Sequence, residues 1–365
     1  MDPLTHTLVG AGLAATELGR KSRGATAALI LGANLPDVDV LSYFRDSDFA
    51  LGFRRGWTHG IPALLILPAV LVGALLLWHR WRRSDDESPA LSPRWLLITS
   101  YLACATHPCL DWLNTYGMRW WMPFRDTWTY GDAVFIVDPW LWLILGLGWL
   151  IGRHPTPAGT AAGSVIAALV VWLVAVRAAR FLPIVVGVLA VLVVAYLRSS
   201  WPGWLTRQRI AAIGLSLGGL YILAMLSLHA LTVARVEEAL ASRAFGEYQE
   251  LMTGPVPADP LVWDIVVGTP SAYRWGRWDW RQRSLWLSDT RLPVVRDSEL
   301  WPQLTASSQS PGFLAWTRFP WFDSEETAGG RRIYLMDARY ARDRRSGFGA
   351  TVIELAQDPP RHTSP

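Results

Sequence analysis

A chain of 365 residues with 51% hydrophobic content, 22 Trp and a mean hydropathy of +0.21 is too apolar for one ordinary soluble domain and too polar to lie in a membrane throughout. The formal charge of +4 comes from Arg residues scattered in short loops, without a basic helix or an aromatic RNA-binding motif, so it reads as membrane-flanking charge and argues against nucleic acid as a partner. Cys104 and Cys109 are the only cysteines and both sit in one apolar segment, which excludes a disulfide framework and a thiolate zinc site.

The first residues, Met1 to His6, lack the positive region of a cleavable signal peptide. Residues 4–18 and 25–36 read as two short helices rich in Gly and Ala, a composition that suits close packing between membrane helices. Longer apolar segments follow at 60–79, 95–112, 133–152, 163–177, 182–197 and 210–230, several of them shorter than the roughly 20 residues a span needs. The expected fold is an all-α polytopic membrane domain of about six to eight helices over residues 1–230. Residues 231–260 read as a charged helix, from Glu237-Glu238, and a linker, Gly254 to Pro260. Residues 261–365 read as a small β-rich soluble domain with strands at Val262–Val267, Ser284–Leu287, Phe313–Trp316 and Arg332–Met336.

Ionisable groups inside the apolar segments carry the functional signal, because at membrane depth each needs a partner. His107 and Asp111 are four residues apart, so a helix projects both from one face toward a single ion. If the segments alternate across the membrane, His6, Asp37, Asp39 and His59 lie near the same face. His6, Asp37, Asp39, His59, His107 and Asp111 are therefore the candidate metal ligands, with Asp39, His59, His107 and Asp111 as the catalytic set. A His and carboxylate donor set suits a divalent ion, Zn²⁺ foremost and Mn²⁺ next. Such an ion acidifies water and polarises an ester or phosphoryl oxygen. Arg54, Arg55, Arg119 and Arg125 could neutralise a phosphate or anchor at the interface; Asp138, before Pro139, could support the site or cap a helix. Eleven basic residues, including Arg80, Arg82 and Arg83, fall on the opposite face against seven on the site face. The positive-inside rule then puts the site and the C-terminal domain on the periplasmic side of the inner membrane.

The order Thr5-His6, Pro36-Asp37-Val38-Asp39, Arg55-Gly56-Trp57-Thr58-His59, His107 to Asp111, Tyr116-Gly117, Pro123-Phe124 and Val137-Asp138-Pro139 resembles the YdjM-type family of inner-membrane metal-dependent hydrolases, most closely over residues 1–140. Where that family often reads His-Arg-Gly-x-Thr-His-Ser, this chain has Arg54 for the first His and Gly60 for the Ser. The series His, Asp, His, His-x-x-x-Asp is also similar to the ligand order of zinc-dependent phospholipase C enzymes, and by that analogy the substrate is a phosphoester. The resemblance implies a metal-dependent hydrolase acting on a phosphoester or other ester of a lipid or lipid-like substrate. The alternatives are a non-enzymatic membrane protein with a structural metal, or a metal transporter.

Overall fold

The computed structural model describes residues 1–82, 90–152, 187, 204–243, 245–296, 298–307, 309–327, 330–344 and 347–356. The chain divides into two compact units. One comprises Met1–Asp39, Arg55–Leu231 and Gly254–Leu261; the other comprises Val40–Arg54, Thr232–Thr253 and Val262–Pro365.

The first unit is helical. Helix α1 (Pro3–Ala15) starts where Asp2 accepts hydrogen bonds from the backbone N–H of Leu4 and Thr5, with Pro3 at the first helical position, where its missing N–H costs nothing. Helix α2 (Ala25–Asn34) packs closely on α1: a Cβ at Gly10 would lie 2.7 Å from the Leu29 carbonyl oxygen. Pro36 has no N–H to continue the α ladder, and the chain tightens into a 3-10 helix over Leu35–Phe44, where a helix over 25–36 was expected. Helices α4 (Ile61–Arg82) and α5 (Pro93–Trp112) follow, and α5 buries Thr99, Ser100, Ala103, His107 and Asp111 against its neighbours. Helix α6 (Pro139–Gly152) begins six residues later than the expected segment 133–152, because Asp138 caps it with one carboxylate oxygen on the N–H groups of Trp140 and Leu141. Trp142 of α6 donates its indole N–H to Asp2 and Thr5, tying α6 to the start of α1.

Helix α7 (Arg207–Ser242) runs for 36 residues. Among the described residues, Ala25–Phe44, Ile61–Arg82 and Arg207–Ser242 are long and apolar enough to cross a membrane, and α6 is a shorter apolar helix. The expected segments 163–177 and 182–197 lie outside the described residues.

The second unit contains helix α3 (Ser47–Phe53) and the sheets apart from residues 254–261. Strands β1 (Glu250–Val256), β2 (Asp259–Gly268), β3 (Ala272–Asp279) and β4 (Ser284–Leu287) are neighbours in order, and β5 (Leu292–Pro293) pairs with β3. Strands β6 (Pro320–Thr327), β7 (Gly330–Asp337) and β8 (Ala350–Ala356) form an antiparallel three-stranded sheet. Two expectations are corrected. Residues 254–260 are not a linker: Pro257 and Ala258, the latter in a left-handed conformation, turn the chain between β1 and β2. Phe313–Trp316 is not a strand but part of helix α9 (Pro311–Trp316), which follows α8 (Leu300–Ala306). Pro311 opens α9, and the Asp48 carboxylate accepts the N–H groups of Gly312 and Phe313 at 2.8 Å each, a charge placed where a helix start favours it. Met252, Val266, Tyr273, Phe319, Trp321 and Met336 form a buried core of this unit.

Candidate metal centre

Three segments of the first unit converge. The α5 face carries His107 and Asp111, the 3-10 segment carries Asp37, and the turn before α4 carries His59. One donor atom from each of Asp37, His59, His107 and Asp111 lies within 4.8 Å of every other. His59 Nε2 is 3.1 Å from His107 Nε2 and 3.1 Å from Asp111 Oδ2; His107 Nε2 is 3.5 Å from Asp111 Oδ2 and 3.8 Å from Asp37 Oδ1. His59, His107 and Asp111 are fully buried, while Asp37 is 15% exposed and forms the open edge.

The other ring nitrogens decide what those facing nitrogens are. His107 Nδ1 is 2.7 Å from the Ala33 carbonyl oxygen, which can only accept, so Nδ1 carries the proton. His59 Nδ1 is 3.3 Å from Asp39 Oδ2, and Thr58 Oγ1 is 3.0 Å from the same nitrogen. His107 thus turns an Nε2 lone pair toward the cluster, and with the His59 proton on Nδ1, toward Asp39, two Nε2 lone pairs face each other beside a carboxylate. Lone pairs so placed repel unless a cation sits among them. Tetrahedral ligands about 2.0–2.1 Å from a zinc ion are about 3.3 Å apart, and the separations above bracket that value. The residues therefore fit a divalent ion, and the donor set does not determine which.

Asp39 stands behind this group. Its Oδ2 accepts from the Arg55 backbone N–H at 2.9 Å and from the Thr58 hydroxyl at 3.1 Å while it faces His59 Nδ1, the carboxylate-to-imidazole arrangement that fixes a ligating ring. His6 Nε2 lies 3.2 Å from Asp111 Oδ1, and its ring stacks on His107 with centroids 3.7 Å apart. Its Nδ1 is buried without a hydrogen-bond partner among the described residues. The Met1 nitrogen also contacts Asp111 Oδ1. Arg55 reaches Asp111 Oδ2 with Nε at 3.1 Å and is held by Asn114 Oδ1 at 2.9 Å.

The other candidates lie elsewhere. Arg54, in the second unit, places its guanidinium over Tyr43. Asp138 caps α6 and accepts from the Tyr221 hydroxyl at 2.9 Å. Arg119 is buried, pairs with Asp126 at 2.7 Å and stacks over Trp128. Sequence reasoning missed Thr58, Asn114 and the Ala33 carbonyl. Thr58 was within the quoted motif, whereas nothing in the sequence pattern points to a backbone carbonyl.

Residues 1–182 match the family described as YdjM inner membrane protein. The chain belongs to the YdjM family through this N-terminal part. Over 151 residues it is also 26% identical to the uncharacterized protein YfhP of Bacillus subtilis (strain 168), a match covering 39% of this chain and 43% of that relative. The chain thus spans less than half the length of that relative. No solved structure matches the chain. One departure from the YdjM pattern has a steric cause. A Cβ at Gly60 would lie 2.6 Å from the Met122 carbonyl oxygen, so the Ser usual in the family does not fit this backbone unless it moves.

Proposed function

We propose that the chain is a membrane-bound metal-dependent hydrolase acting on a phosphoester or other ester in a lipid-like substrate. The observation that carries the reading is the convergence of His59 Nε2, His107 Nε2 and Asp111 Oδ2 with Asp37 at the exposed edge, bordered by a buried arginine. A divalent ion at that point supplies an acidified water and polarises a phosphoryl or carbonyl oxygen. The chain's own residues do the rest. Asp39 and the Ala33 carbonyl orient the two imidazoles. Arg55, fixed by Asn114, holds a positive charge beside Asp111 that favours an anionic ester. His6 Nδ1 is a buried polar atom that a bound substrate or water can satisfy.

A lipid-like substrate is supported by surroundings rather than by a bound molecule. Val38, between Asp37 and Asp39, and Trp57, two residues before His59, are exposed apolar side chains at 43% and 51%. The excess of Arg in the loops of the other face supports a site on the periplasmic side, with the membrane part comprising about six to eight helices. The nearly complete burial of four converging donors also favours a second reading, a structural metal.

Metal content and turnover separate the two. Purified wild-type protein is expected to carry about one equivalent of a divalent metal, by the coordination capacity of one such cluster, and His107→Ala to lose most of it. Retention of metal by both His59→Ala and His107→Ala would overturn the site. Asp111→Asn keeps the side-chain shape and removes charge. In the hydrolase it abolishes cleavage of phosphoester or acyl ester probes in detergent, while chelation of the wild type stops cleavage and leaves thermal unfolding nearly unchanged. With a structural metal, chelation collapses the fold and the loaded wild type cleaves no ester in a broad panel.

A further inference from the structure

The second unit contains a cavity of about 710 Å³ between the last turns of α7 and the β3–β4 hairpin, away in the chain from every residue of the metal centre. Its lining includes Arg235, Arg243 and Arg283 against the single carboxylate of Glu238. Arg235 pairs with Glu238 at 2.8 Å, and Arg243 donates one N–H to the Leu285 carbonyl oxygen at 2.6 Å. Arg283 has no hydrogen-bond or ion-pair partner among the described residues. It also sits in a left-handed conformation, φ 50°, at a hairpin position that glycine or asparagine fills at lower cost.

The walls add a second kind of donor. Trp278 and Trp280 pack edge to face with ring centroids 5.7 Å apart. The Trp280 indole N–H donates to the Thr232 hydroxyl at 2.9 Å, whereas Trp278 Nε1 is buried and has no hydrogen-bond partner among the described residues. A buried indole N–H left unpaired carries a cost, and a small turn of the Trp278 ring toward a ligand oxygen in this cavity would remove it. Arginine forks and an indole N–H are donors only, so the lining selects an acceptor-rich anion, and guanidinium geometry matches phosphate oxygens.

The place in the helix names the source. From Ile210 to Ala234, α7 carries no Asp, Glu, Lys or Arg, and Arg235 is the first charge after that run. A cavity that starts there opens where a membrane-crossing helix leaves the hydrocarbon, the level of phosphate headgroups and interfacial Trp. We propose that this cavity binds a phosphate-ester anion, supplied by the headgroup of an acidic phospholipid.

The test is native mass spectrometry of the full-length protein in detergent, titrated separately with phosphatidylglycerol, phosphatidylcholine and glycerol 3-phosphate. Phosphatidylglycerol is expected to be retained in preference to phosphatidylcholine. Arg283→Gly and Trp278→Phe should each weaken retention by about tenfold, the worth of one charge-assisted or buried hydrogen bond. Arg283→Gly carries its own control for folding: by relieving the left-handed strain it should raise the melting temperature of the lipid-free protein while weakening binding. Glycerol 3-phosphate binding as tightly, with the same sensitivity to both substitutions, would leave the anion site standing and move its source to solution. Equal retention of the two lipids without binding of glycerol 3-phosphate, or binding indifferent to both substitutions, would overturn the proposal.

Discussion

Asp39→Asn is the perturbation that tests the division of labour at the metal centre. Asp39 Oδ2 contacts the Arg55 N–H at 2.9 Å, the Thr58 hydroxyl at 3.1 Å and His59 Nδ1 at 3.3 Å, and none of its contacts described above is to the facing Nε2 atoms. The amide of Asn occupies the same volume and its oxygen still accepts, but without charge. Hydrogen bonds to a charged group contribute about 1.5–3 kcal/mol and neutral ones about 0.5–1.5, so the substitution costs about 1–2 kcal/mol in the orientation and basicity of the His59 ring. That is roughly a fivefold to thirtyfold loss of metal affinity, at the lower end of what second-sphere partners of metal-binding imidazoles contribute. Competition against a chromophoric chelator, on full-length protein in detergent, measures it directly. His107→Ala, which removes a donor, sets the scale of complete loss. An affinity unchanged in Asp39→Asn would mean that His59 needs no carboxylate, and a loss as complete as that of His107→Ala would make Asp39 a ligand.

Gly10→Ala puts a Cβ against the Leu29 carbonyl and the Ile30 Cα at 2.7 and 2.9 Å; it should destabilise the α1–α2 pair by about 1–3 kcal/mol, read as a lowered melting temperature in detergent. In the second unit, burial pushes the Asp337 carboxyl up, but the Arg339 guanidinium and the N–H groups of Arg339 and Arg318 outweigh it and hold the acid below its usual range. A depressed folded pKa gives stability that is present above the unfolded value of about 3.9 and lost as pH falls through the folded one. Acid unfolding of the β region should therefore steepen below about pH 4 in wild type and be shallower in Asp337→Asn, by near-ultraviolet circular dichroism. Reporter fusions at residue 86 and after residue 240 should report opposite compartments, the first cytoplasmic; one compartment for both would contradict the proposed topology.

Part of this architecture is written in local spacing and part is not. Among the described residues, the three apolar segments long enough to cross a membrane overlap 25–36, 60–79 and 210–230, because continuous hydrophobic runs declare themselves without tertiary information. The strands near Val262, Ser284 and Arg332 declare themselves through β-branched and aromatic residues. The same composition misreads Phe313–Trp316, where a carboxylate from Asp48, distant in sequence, caps a helix. β1 escapes because Gly254 and Pro255 look like a break, yet both lie within the strand.

At the metal centre the same contrast has a geometric form. His107 and Asp111 are four residues apart on an α-helix, about 40° from one another around the axis, so their convergence follows from spacing alone. Asp37 and Asp39 look equivalent in sequence, and an unspecified helix or turn would leave either free to reach the ion. They sit instead on a 3-10 helix, where residues two apart are separated by about 120°. One carboxylate can then face the His107 nitrogen only if the other turns away, and the other meets the far side of the His59 ring. The motif Asp-x-Asp thus supplies one group at the donor cluster and one behind it. What assigns them is which side of this segment meets His107 and which meets the His59 ring, and that becomes visible only in the folded chain.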